Sequence, residues 1–145
     1  MPDNIILRVI AKTLIPVIIL YALYVQFHGD YSPGGGFQAG VIFSSAGLLY
    51  SLVFGLDSAA KVLPDKALIA AACLGVLIYA GTGAASLFFG GEFLNYSVLA
   101  STPMQGQHIG IIIIELGVGL TVAAVMLLIF FTFAKRTRTE LWITY

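Results

Sequence analysis

The chain has 145 residues, 59% of them apolar and only 10% charged, with a mean hydropathy of +0.99. A soluble domain carries about 25% charged residues, so lipid rather than a large aqueous core is the expected solvent. A formal net charge of zero leaves no electrostatic basis for nucleic acid as a partner.

A bilayer-spanning helix needs roughly 20 mostly apolar residues, and four stretches qualify. The first runs from about Leu7 to Phe27. The N-terminus, "MPDNIILRVIAKTLIPVIILYALYVQF", has a basic flank and an apolar run with no small-residue cleavage site before the next loop. It reads as a retained helix and not as a signal peptide. The second stretch covers about Phe37 to Leu56, the third about Ala67 to Phe89 and the fourth about His108 to Ala134. Strands of a membrane barrel would alternate apolar and polar residues over about ten positions; "IGIIIIELGVGLTVAAVMLLIFF" does not. The expected fold is therefore all-α, a single transmembrane domain over residues 1–145 with connections at 28–36, 57–66 and 90–107. Cys73, the sole cysteine, excludes an internal disulfide and a CxxC metal motif. Its neighbours Ala71, Ala72 and Leu74 suggest a small buried hydrophobe.

The cations are sided. Arg8 and Lys12 enter the first span, Lys61 and Lys66 sit in the second connection, and Lys135, Arg136 and Arg138 follow the fourth span. The positive-inside rule then places both termini and residues 57–66 in the cytoplasm, with residues 28–36 and 90–107 outside. The basic tail reads as a topology signal in contact with lipid headgroups, or as a patch for a partner.

The second span carries Gly36, Gly40, Ser44 and Gly47 at spacings that keep them on one helical face. Small residues let membrane helices approach closely. The third span adds Gly75, Gly81, Gly83, Ala84 and Ala85, and the fourth Gly106, Gly110, Gly117 and Gly119. These surfaces fit packing within the bundle or contact with further protein neighbours.

The clear acid within the spans is Glu115. Counted from His108 it lies seven residues in, about 10 Å at about 1.5 Å per residue. A carboxylate there is costly unless protonated, paired or watered, and it marks either an ion or proton path or a hydrogen-bonded tie between helices. His108 shares its helical face and could be linked to it through a water, as a proton carrier or as an interfacial residue at the helix entrance. Gln26, His28, Asp30, Gln38, Glu92, Gln105 and Gln107 also fall in the outer half, whereas the inner half holds little beyond Thr13 and small hydroxyl residues. A complete channel would be lined from face to face, so a full pathway within one copy is not expected.

The first connection, "FHGDYSPGGGFQAG", can form a tight, shallow turn, because glycine reaches positive φ and Pro33 fixes φ near −65°. Its amides would lie at the N-terminus of the second helix, with Asp30 or Ser32 as cap. It is neither GxGxxG nor a Walker sequence, so neither phosphate nor a nucleotide cofactor is implied.

The stretch "HGDYSPGGGFQAG" resembles the signature of the B subunit of multisubunit Mrp-type (Mnh-type) cation/proton antiporters, and "GQHIGIIIIELGVGLTVAAVMLLIF" is similar to that family's last helix. Length and span count fit as well, so the resemblance covers almost the whole chain; Ala39 stands where many relatives carry glycine. The resemblance implies a small, non-enzymatic, cofactor-free subunit of a large plasma-membrane complex that exchanges Na+ or another monovalent cation for H+. Its partners would be other hydrophobic subunits and the bilayer. The matched loop positions are His28, Pro33, Gly34, Gly35, Gly36, Phe37 and Gln38; the matched helix positions are His108 and Glu115. Glu115 is the expected proton-exchanging carboxylate, with His108, His28 and Asp30 as further pathway candidates. Two alternatives remain open at this point: a structural subunit of a related hydrogenase-type complex, and an independent homo-oligomeric transporter. A membrane enzyme is disfavoured, since no nucleophile–base set or metal-ligand cluster is evident.

Overall fold

The structure, a computed structural model, describes residues 5–29 and 34–143, with side chains as far as residue 137. It is all-α, with no strand among the described residues. The elements are α1 (Ile5–Phe27), α2 (Gly36–Phe54), α3 (Leu56–Val62), α4 (Asp65–Phe88), a 3₁₀ turn (Tyr96–Val98) and α5 (Pro103–Ile143). α1, α2, α4 and α5 are each long and apolar enough to cross a membrane.

Helix α5 is the spine. It packs on one side against α2 and on the other against α4, while α1 lies on the far side of α2 and barely touches α5. Only 11% of the apolar stretch of α1 is buried within the chain, against 33% of that of α2, so α1 gives most of its surface to the surroundings.

Small residues set the two long interfaces. Where α2 crosses α5, a methyl group added at Gly40 would stand 2.7 Å from the Gly119 carbonyl oxygen, and one at Gly47 would stand 2.7 Å from Leu127 Cδ2. Where α4 crosses α5, a methyl at Gly117 would stand 2.8 Å from the Gly75 carbonyl, and Gly75 itself abuts the Thr121 hydroxyl. Thr121 donates to the Gly117 carbonyl at 2.9 Å. The stripe Gly36, Gly40, Ser44 and Gly47 is therefore used inside the chain, which gains dispersion contacts at close backbone approach. Gly81 meets nothing within 4 Å and faces outward.

Three expectations are corrected. Residues 57–66, read as a connection, contain most of α3. Gly55, at φ 92°, ends α2, and Ala59, fully buried, then joins Leu68, Leu127 and Phe131 in the apolar core, with Leu56 and Leu63 packed against them. α5 begins at Pro103, not His108, and runs for 41 residues to Ile143, about 60 Å at 1.5 Å per residue. Cys73 is exposed, not buried: α4 has α5 as its main neighbour, so most of its circumference, including this thiol, lies on the outside.

The cations gather at one end. Lys135 near the end of α5 meets Asp65 at the start of α4 at 2.6 Å, and the Arg8 guanidinium near the start of α1 lies 5.5 Å from the ring centroid of Phe54 at the end of α2.

Candidate functional site

At the opposite end of α1 and α2, Gly29 and Gly35, which flank the connection between them, lie against Glu115 of α5. A methyl group added at Gly29 would lie 2.7 Å from Glu115 Oε1 and 2.8 Å from Oε2; one at Gly35 would lie 2.9 Å from Oε1. Gly36 abuts the Glu115 backbone carbonyl. The half-buried carboxylate thus occupies space that only glycines leave open. Gly35 has φ 137° and ψ −173°, a conformation essentially reserved for glycine.

Gly35 is also the N-cap of α2 and supplies no side-chain cap bond. The N–H groups of the first turn of a helix have no intrahelical acceptors and carry a partial positive charge.

A buried amide adjoins this cradle. Gln26, on the last turn of α1, is 8% exposed, and its Nε2 has no hydrogen-bond partner among the described residues. Its Oε1 would lie 2.5 Å from a methyl group at Gly119, one turn beyond Glu115. Gln26 borders a cavity of about 170 Å³ between α1, α2 and α5, walled otherwise by apolar side chains such as Leu23, Phe43 and Leu120.

The remaining candidates spread out from this centre. Gln38 Oε1 would stand 3.8 Å from a methyl on Gly35, at the edge of the cradle. Gly34 is half-buried, and Phe37 is 60% exposed. His28 is exposed and stacks on Tyr24, with ring centroids 4.2 Å apart. His108 is exposed in an open groove formed with Met104, Gln105 and Ile109 of its own helix. Asp30 and Pro33, together with the Asp30 or Ser32 cap, lie outside the described residues. Gln107, counted among the outer polar groups, ties the third connection to α5: its Nε2 donates to Asn95 Oδ1 at 3.2 Å and to Ser97 Oγ at 2.9 Å. Gly29, Gln26 and Gly119 were not singled out as site residues from the sequence. The only signal for Gly29 was its place beside His28 in the loop.

Four spanning-length helices and an acidic side chain set among glycines at a helix start define a multi-pass membrane protein with a polar site inside its bundle. Residues 6–128 match the family described as "Domain related to MnhB subunit of Na+/H+ antiporter", and the chain belongs to that family. It is similar to proteins named antiporter subunit mnhB2 in Staphylococcus aureus. Those of strains Newman and COL are each 34% identical over 127 residues, covering 86% of this chain and 89% of the relative.

Proposed function

We propose that this chain is a non-enzymatic subunit of a multisubunit Na+/H+ antiporter in the plasma membrane, and that Glu115 is its proton-exchanging carboxyl group. Family membership supports the subunit assignment, and with it the presence of other subunits beside this one. The observation that carries the role of Glu115 is the seat of its carboxylate against Gly29 and Gly35 at the start of α2, whose N-cap residue is Gly35.

The four spanning helices act as one transmembrane unit, with both termini on the cytoplasmic side, where the positive-inside rule puts the cationic end. The carboxyl then lies toward the outer half. The inner half beneath it is closed by the apolar core of Ala59, Leu68, Leu127 and Phe131, so sister subunits complete the route for H+ and Na+. His28 and His108 lie toward the outer mouth, and the sequence supplies Asp30 as a further pathway candidate. Gly35 seats the carboxylate, and the loop motif from Pro33 to Gln38 is the segment that would meet the neighbouring subunit. The hydrogenase-type alternative finds no support in the matched family, and the homo-oligomeric alternative none in relatives named as subunits.

The test is Glu115→Gln in the complete complex, assayed for Na+-driven proton movement in everted vesicles. Exchange should fall on the order of tenfold or more, the scale of losing a positioned proton-transfer group, while the complex still assembles. Undiminished exchange would retire the assignment.

A further inference from the structure

A second polar site lies at the other end of the molecule, away from Glu115. Between α1 and α2 a groove of about 510 Å³ is lined by Arg8, Lys12, Ile15, Pro16, Tyr50 and Phe54. Its two halves differ. Arg8 and Lys12 stand one turn apart on the same face of α1; both are exposed, and neither has a carboxylate within ion-pair distance among the described residues. Ile15, Pro16 and Tyr50 continue the groove as an apolar wall, and Tyr50 stacks on Phe54 with ring centroids 4.8 Å apart. Pro16 lies inside α1 and has no N–H, so the Lys12 carbonyl loses its usual helical donor.

Two cations at the mouth, followed by hydrocarbon along a membrane helix, suit one kind of occupant. A soluble anion would satisfy the charges and leave the apolar wall unused. A zwitterionic lipid would bring its own ammonium toward two like charges. An anionic phospholipid matches both halves, and basic pockets between membrane helices bind such headgroups. We propose that this groove holds one anionic phospholipid, with its phosphodiester between Arg8 and Lys12 and an acyl chain along Ile15, Pro16 and Tyr50. The site does not depend on the role of Glu115.

The test uses the assembled complex purified in mild detergent, with bound lipid counted by native mass spectrometry. After delipidation the complex is titrated with phosphatidylglycerol or phosphatidylcholine. The wild-type complex should retain one more phosphatidylglycerol per copy of this chain than the R8Q/K12Q complex. Affinity for phosphatidylglycerol should drop on the order of tenfold or more with both charges gone, and R8K/K12R should keep it. If the neutral double variant does not assemble, Ile15→Trp, which fills the groove and leaves the charges, should expel the same lipid. Equal lipid counts in wild type and in the groove variant would overturn the proposal, as would equal retention of phosphatidylcholine. Displacement of the lipid by inorganic phosphate would reduce the site to a simple anion site and also overturn it. So would cross-linking of a Lys12→Cys, Cys73→Ala chain to another subunit through residue 12, because a partner would then fill the groove.

Discussion

The backbone of Gly35 and the carboxylate of Glu115 meet at a separation that admits no side chain: a methyl group on Gly35 would stand 2.9 Å from Glu115 Oε1. The two residues lie 80 positions apart in the chain. The crossing of α2 over α5 at Gly36, Gly40 and Gly119 brings them together, lowering the start of α2 onto the side of α5. A loop motif and a membrane acid, each conspicuous alone, are thereby one site.

Gly35→Ala should therefore damage both fold and function. The residue is confined to a backbone region that costs about 1–3 kcal/mol for other residues, and the added methyl presses on the carboxylate. The variant complex should dissociate at a lower temperature than wild type and exchange protons more slowly. Gly29→Ala carries no such backbone penalty, so its exchange defect should come with a smaller loss of thermal stability. Thermal dissociation and exchange rates, measured side by side, check the difference.

Gln26→Leu should show the opposite trade. The substitution removes a buried donor that lacks a partner among the described residues, a group that costs about 1–3 kcal/mol when left unsatisfied. The complex should become more resistant to heat. Exchange should slow, since the polar group beside Gly119, one turn from Glu115, is lost. A variant that is both less stable and fully active would count against this reading of Gln26.

Much of this was legible in the sequence, and the reasons differ by element. The long apolar runs around Leu20, Leu74 and Val125 leave a chain little choice but spanning helices, and a carboxyl embedded in such a run stands out. α3 was not legible, because Asp57, Ser58 and Lys61 give it the look of a polar connection. Its helix depends on Ala59 meeting Leu68, Leu127 and Phe131, contacts made across the fold. The start of α5 was placed at His108 because Pro103 to Gln107 read as polar loop. In the folded chain Gln107 is held by Asn95 and Ser97, and the helix continues through it. Gly29 belongs to the His-Gly pair that opens the loop signature, but glycine carries no chemistry of its own; its value lies in the room it leaves for Glu115. Cys73 looked internal because its neighbours are apolar, but in a membrane helix apolar residues face outward as readily as inward.

Two glycines of α4 on different faces should behave differently. Gly75 abuts Thr121 and Gly117 on α5, whereas Gly81 meets nothing within 4 Å. Gly75→Ala should separate α4 from α5 and lower the yield of folded chain. Gly81→Ala should be neutral or stabilising by up to about 1 kcal/mol, the helix-propensity difference between the two residues. Expression level and thermal stability of the two variants in parallel check the contrast.

The ion pair of Lys135 with Asp65, at 2.6 Å, is roughly half exposed on both sides, at 45% and 47%. Exposed pairs contribute about 0–1 kcal/mol. A double-mutant cycle with Lys135→Ala and Asp65→Ala should give a coupling energy in that range, smaller at high salt. It should leave exchange unchanged, because the pair lies at the cationic end, away from Glu115.

The most direct test follows the proton itself. Infrared difference spectra of the purified complex, recorded across a pH titration, should contain a protonated-carboxyl band that appears on acidification and is absent from the Glu115→Gln complex. A spectrum identical in wild type and Glu115→Gln would contradict a proton-exchanging role for the carboxyl group between Gly29 and Gly35.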